Sequence, residues 1–283
     1  TPGELVIPDT IGGNPVTSIG HEAFGDCSSL TSVTIPENVT SIGQQAFEHC
    51  SSLTSVTIPE NLTRIPFAIF RGCSSLTSVT IPENVTIIGQ QAFFNCSSLA
   101  SVTIPDSVTS IASYVFYNCS SLASVTIPEN VTSIGGQAFY NCSSLASVTI
   151  PDSVTSIGPQ SFQGCTGLTS ITIPENVTDI GQLAFSGCSN LASITFLGNA
   201  PSMGDHPFFG VADGAVAIVS GVEQATFGDV GADWNGLAIA CNDGVLCWLT
   251  WTTTDGEVTI TDCNEATPGE LVIPDTIGGN PVT

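Results

Sequence analysis

Apolar residues return along this chain with two superimposed rhythms, a short alternation and a long period. Within Thr31-Ser32-Val33-Thr34-Ile35 the apolar residues alternate with hydroxylic ones. That is the pattern of a half-buried strand, and Pro36 ends it. A second extended piece, Val39 to Ile42, precedes Gly43, after which Gln44-Gln45-Ala46-Phe47 predicts a short turn of helix. The same apolar set then starts again: Leu30, Val33, Ile35, Val39, Ile42, Ala46 and Phe47 all have counterparts one period on. Cysteine marks that period, since Cys27, Cys50, Cys73, Cys96, Cys119, Cys142, Cys165 and Cys188 each follow the last by 23 residues. A fixed period of this length is the mark of a solenoid, in which no unit buries its apolar side alone and stacking makes the core.

One strand per 23-residue rung predicts a long parallel sheet. The fold class expected is therefore a repeat solenoid with a parallel sheet, mostly β with short helical turns. Rungs about 4.8 Å apart would give eight of them a length of about 40 Å. Residues 1–195 read as the solenoid, with an irregular first rung. Residues 196–241 depart from the pattern and are expected to cap the open sheet edge. A boundary is expected near Asn242-Asp243-Gly244. Beyond it, Trp248-Leu249-Thr250-Trp251 and Val258-Thr259-Ile260 flank Asp255-Gly256, which predicts a β-hairpin within 245–263.

A second, longer repeat encloses the first. Thr1 to Thr17 recur letter for letter as Thr267 to Thr283, 266 positions later. The hairpin is thus expected to be the N-terminal cap of a next module that begins at 267–283. On that reading the ends of the sequence are not natural domain boundaries.

The rung C-x-x-L-x-x-[VI]-x-I-P-x-x-[VL]-x-x-I-x-x-x-[AS]-F resembles the BspA-like leucine-rich repeats of bacterial surface proteins, over roughly residues 4 to 240. The resemblance implies a secreted or surface-attached protein associated with adhesion to host proteins or to other cells. It also implies that the segment from Phe196 to Leu237 is the family's closing segment.

Composition narrows the partners. Twenty-five acidic residues face only Arg64 and Arg71, a net charge of -23. Nucleic acid is excluded, because phosphate binding needs a Lys/Arg stripe, and anionic membranes are disfavoured for the same reason. No run of 18 apolar residues predicts a membrane span. Thr1-Pro2-Gly3-Glu4 lacks the features of a signal peptide. His21, His49 and His206 are scattered without catalytic partners, no glycine-rich phosphate loop occurs, and the acids occupy equivalent repeat positions where catalysis needs individually tuned groups. The chain reads as a non-enzyme.

Stacking turns each rung position into a file, and four files carry candidate chemistry. The cysteines read as small buried hydrophobes that fill a corner of each rung rather than as disulfides or zinc ligands. Outside that file, Cys247 and Cys263 fall nearly opposite each other across the hairpin and are a candidate bridge, which leaves Cys241 alone.

With Val33 and Ile35 inward, the hydroxyl pairs Ser32/Thr34, Ser55/Thr57, Ser78/Thr80, Ser101/Thr103, Ser124/Thr126, Ser147/Thr149 and Ser170/Thr172 point outward, as do Ser193/Thr195. This flat uncharged face is a candidate binding surface for a protein, a glycan or ice, a surface for lateral packing, or simply what exposed strands prefer. Glu37, Glu60, Glu83, Asp106, Glu129, Asp152 and Glu175 follow the rung proline. They form an acidic file that is a weak calcium candidate or a solvated edge. Asn38, Asn61, Asn84, Asn130 and Asn176 open N-x-[ST] sequons, with Asn95, Asn118 and Asn141 in a second file written Asn-Cys-Ser. They are candidate glycosylation sites or plain turn residues. No cofactor other than calcium is implied.

Two functions stay open. In the first, modules polymerise or string end to end into an extracellular fibre, stalk or matrix, with copies of the chain as partners. In the second, each module is an adhesive domain at the cell surface. The identity of the two 17-residue segments favours the first.

Overall fold

The computed structural model of the chain describes residues 3–219, 224–227, 233–241, 249–254, 257–263, 276–277 and 280–281. Each rung lays one short strand into a parallel sheet. Strands Glu4–Val6, Ser32–Thr34, Ser55–Thr57, Ser78–Thr80, Ser101–Thr103, Ser124–Thr126 and Ser147–Thr149 follow one another in register, so that Ser101 pairs with Ser124 and Thr103 with Thr126. Ser170–Ile173 lies beside the last of these. It is followed by Ser193–Phe196, Val216–Val219 and Leu237–Cys241, all parallel. The outermost strand at this end among the described residues is Asp233–Trp234, which turns back antiparallel on Leu237–Cys241. Residues 196–241 thus add two parallel strands to the sheet before it reverses.

A second, two-residue ladder runs along another side of the rod: Ser18–Ile19 with Ser41–Ile42, Arg64–Ile65 with Ile87–Ile88, and Ser133–Ile134 through Ser156–Ile157 and Asp179–Ile180 to Ser202–Met203. Its interruptions have a local cause. The residue after this strand is glycine in most rungs, and a β-carbon on Gly43 would lie 2.4 Å from the His21 nitrogen. Only glycine lets the backbones approach this closely. The ladder breaks between Ile42 and Ile65 and again after Ile88, where Pro66 and Ala112 stand in place of that glycine.

The third side corrects the expected helical turn. Gln44 to Phe47 is a turn and no helix, and among the described residues the one α-helical segment is Gln224–Phe227. Two residues per rung are left-handed here, Gln45 (φ 58°) and His49 (φ 58°) in the first complete rung, which no right-handed helix tolerates. The backbone bonds run between rungs instead: Gln45, Phe47 and His49 donate to the carbonyls of Phe67, Ile69 and Arg71. This makes a third ladder, satisfying polar groups that a buried turn would otherwise leave unpaired.

Between the three ladders lies a continuous core. The expected apolar set is buried rung after rung, with Val39, Ala46, Phe47, Cys50 and Leu53 at 0% exposure. Nine phenylalanines from Phe24 to Phe208 stack in one file, with neighbouring ring centroids 5.2 to 5.8 Å apart. Near the C-terminal end, Trp234 sits edge-on to Phe196 at 5.2 Å and to Phe227 at 4.7 Å. That indole packs in a separate aromatic cluster with Phe196 and Phe227. Trp248 lies outside the described residues, and Trp251 is described in its backbone alone.

Candidate functional site

The cysteine file is interior. Cys50, Cys73, Cys96, Cys119, Cys142, Cys165 and Cys188 are buried free thiols, and Cys27, at the start of the file, is exposed. Each buried thiol donates to the carbonyl of the phenylalanine 26 residues earlier, at 3.1 to 3.2 Å. Burial pushes Cys50 up to about 11 and Cys188 up to about 12, and raises the others too. A thiol held neutral is neither nucleophile nor metal ligand. Among the described residues no three His, Cys, Asp or Glu side chains converge as metal ligands. Cys247 lies outside the described residues, and the hairpin register sets Leu249 opposite Cys263.

The sheet face presents two hydroxyl columns. Thr34, Thr57, Thr80, Thr103, Thr126, Thr149 and Thr172 are all exposed, as are the serines from Ser55 to Ser170, with Ser32 half-buried. The columns open on Glu4 and Val6 and give way to Val216 and Ile218. No ionisable side chain interrupts the lattice between those limits.

One edge carries the acids. Glu37, Glu60, Glu83, Asp106, Glu129, Asp152 and Glu175 are exposed in single file, and the Glu60 backbone N–H donates to the Glu37 carboxylate at 3.2 Å. Beside them the asparagines do structural work that the sequons conceal. Asn61, Asn84, Asn130 and Asn176 are exposed, yet each Nδ2 donates to the carbonyl of the acidic residue one rung earlier at 2.9 to 3.1 Å. Ser107 takes the same place in its rung and donates to the Glu83 carbonyl at 2.9 Å. Asn38, in the first complete rung, is exposed.

The second asparagine file explains itself through the backbone. Asn95, Asn118 and Asn141 have φ of 59°, 56° and 54°, and the same rung position elsewhere holds Asp26, His49, Gly72, Gly164 and Gly187, all left-handed. Asparagine and glycine are the residues that take this conformation at least cost. With Ser74, Ser97, Ser120 and Ser143 the three asparagines line an open groove of about 500 Å³, in which Asn118 donates to Asn95 at 3.0 Å.

Next to it runs a file that repeat-based reasoning passed over, because the consensus leaves its position blank. Glu48 pairs with Arg71 at 3.3 Å, and Arg71 lies over the Phe94 ring at 5.2 Å. Phe94, Tyr117 and Tyr140 then stack face to face at 4.4 and 4.6 Å. These rings cover each other's faces and are half-buried. Burial and the neighbouring tyrosines raise Tyr117 above the ordinary phenol value.

Comparison with known proteins decides what kind of solenoid this is. The family described as BspA type leucine rich repeat region matches residues 5–123 and 109–222, with 6 copies of the repeat.

The chain belongs to the BspA-type leucine-rich-repeat family.

Among solved structures, this BspA-type solenoid is similar to a leucine-rich repeat protein from Bacteroides ovatus ATCC 8483, with 31% identity and a TM-score of 0.63 over 85% of this chain and 69% of that one. It is also similar to a leucine-rich repeat protein of T. pallidum, with 34% identity and a TM-score of 0.55 over 59% of this chain and 78% of that one. Comparison with curated proteins found no match. No helix among the described residues of the BspA-type chain is long and apolar enough to cross a membrane.

Proposed function

We propose that the chain is a non-catalytic structural module of an extracellular or cell-surface array, in which solenoids follow one another and are strung end to end into a fibre, stalk or matrix. One observation carries this reading. Thr276–Ile277 pairs antiparallel with Asn280–Pro281 in the register in which Thr10–Ile11 pairs with Asn14–Pro15, with Thr276 opposite Pro281 and Ile277 opposite Asn280 as Thr10 is opposite Pro15 and Ile11 opposite Asn14. The strand pair shared by the two copies, on top of their identical 17 letters, supports reading the second copy as the opening of another module. Near-identical rungs support it further, because repetition builds a material more readily than a selective receptor. A surface location rests on family membership.

Adhesion is the second reading, favoured by the exposed hydroxyl columns and the Asn/Ser groove, which together offer an uncharged, regularly spaced lattice of donors and acceptors to a protein, a glycan or ice. Electron microscopy of two or more consecutive modules tests the first reading. Stiff filaments with an axial repeat of one module are expected, and isolated beads on flexible tethers would refute it.

A further inference from the structure

The first rung leaves apolar surface in the open. Val6 and Ile11 are 71% and 65% exposed, and every residue of the hairpin Thr10–Ile11 and Asn14–Pro15 is exposed. Behind it Leu5 and Phe24 are only partly buried, whereas their partners one rung on, Val33 and Phe47, are 3% and 0% exposed. At the second copy of these 17 residues the same hairpin has a neighbour. The strand Glu257–Cys263, paired antiparallel with Leu249–Thr254, lies against Asn280–Pro281.

We infer that the open end of the first rung is the seat for the hairpin of Leu249–Thr254 and Glu257–Cys263 of another copy of the module, which docks along the edge strand Glu4–Val6 and on Ile11 and Asn14–Pro15. The inference rests on the end-to-end reading and names its joint. The contact is heterologous, since a hairpin on one copy meets a first rung on the next, and such contacts propagate instead of closing into a dimer. Burying Ile11 and completing the cover of Leu5 and Phe24 supplies the apolar drive. Within one chain the strand Glu257–Cys263 already faces a tethered acceptor, Asn280–Pro281. Its effective concentration is on the order of millimolar, so a separate copy at micromolar concentration loses the competition and the unaltered chain stays monomeric.

The competition gives the test. In the first copy Gly12 and Gly13 have φ of 60° and 82°, a two-residue turn with positive φ at both positions that a β-branched residue resists. Gly278→Val/Gly279→Val is therefore expected to spoil the tethered hairpin while leaving the first rung intact. In sedimentation velocity on the full chain, that variant is expected to form head-to-tail oligomers that lengthen with concentration. Adding Val6→Glu/Ile11→Glu returns it to monomer, adding the milder Ile11→Ser weakens association at least tenfold, and adding Ile87→Glu at an exposed mid-rod site leaves association unchanged. A glycine variant that stays monomeric at every concentration overturns the inference. So does an acidic double variant that associates as before, and in that case the end-to-end reading, tested separately by microscopy, still stands.

Discussion

The thiol of Cys96 donates to the carbonyl oxygen of Phe70 at 3.1 Å, across 26 residues of sequence. The contact joins the two buried files of the solenoid, sulfur and aromatic. A serine there would carry a more strongly hydrated hydroxyl into the same dry corner, and an alanine would leave the carbonyl without this donor. Cys96→Ala is expected to cost about 1–3 kcal/mol, measured by urea unfolding.

The buried thiols also predict how stability depends on pH. An unfolded thiol titrates near 8.5, while in the folded chain Cys50 rises to about 11 and Cys188 to about 12. The folded state holds its protons longer, so this stability is fully present below about pH 8.5 and is lost as pH rises toward the folded values. Each thiol contributes a slope of about 1.4 kcal/mol per pH unit in that window. The melting temperature should be flat with respect to these groups up to pH 8 and fall steeply above 9. Alkylating reagent at pH 8 should modify Cys27 rapidly and the seven buried thiols only on unfolding. Rapid modification of Cys119 in the folded protein would contradict this account.

The phenylalanine file should dominate the packing energy. Phe116 is fully buried between Phe93 and Phe139 at 5.5 Å on either side, and Phe116→Ala is expected to cost about 3–5 kcal/mol. Tyr117, its neighbour in sequence, belongs to the half-exposed outer stack. Tyr117→Ala should cost only about 1 kcal/mol. Equal effects in denaturant titrations would mean that the two stacks are not the separate layers described.

Left-handed positions give a prediction that inverts the usual ranking of side chains. Asn118 has φ 56°, so Asn118→Gly should be close to neutral, whereas Asn118→Val should cost about 1–2 kcal/mol. Thermal unfolding of the two variants separates them.

For the acidic edge, neighbouring carboxylates repel by about 1 kcal/mol per pair in water before screening. Sodium chloride should therefore raise the melting temperature, and calcium at equal ionic strength should add nothing, because the carboxylates stand in single file. A melting temperature that drops on chelation would instead make Glu37 and its successors a calcium site.

Much of this was readable beforehand, and the failures have physical reasons. The period, the strand and the buried set follow from alternation at Val33 and Ile35 and from the 23-residue cysteine spacing, because the core repeats whatever the sequence repeats. The segment from Gln44 reads as helix because glutamine, alanine and phenylalanine all suit one, yet it folds as a turn. The left-handed backbone at Gln45, Ala68, Tyr114 and Leu183 is imposed by bonds to the next rung, which no local pattern records. A signal did exist four residues further along the rung, where Asp26, His49, Gly72 and Asn95 share a liking for positive φ. The sequons hid an inter-rung amide bond for a similar reason, and the exchange of Asn84 for Ser107 in the next rung was the clue that this position supplies a hydrogen-bond donor. The Arg71–Phe94–Tyr117–Tyr140 file lay in columns where the rungs disagree. Those columns are where a repetitive molecule can carry anything particular.

The phenylalanine stack has a consequence for how such a protein changes over generations. Because Phe93, Phe116 and Phe139 meet their neighbours in nearly the same way, cutting out one period rejoins surfaces that already fit. Loss of residues 119–141 would set Asn118 before Cys142 and restore the local sequence Asn-Cys-Ser. Nearest-neighbour stability of this kind depends on the number of rungs and hardly on which rung is removed. Unequal recombination between near-identical rungs can therefore lengthen or shorten the rod in whole steps, so that relatives differing by multiples of 23 residues should all fold.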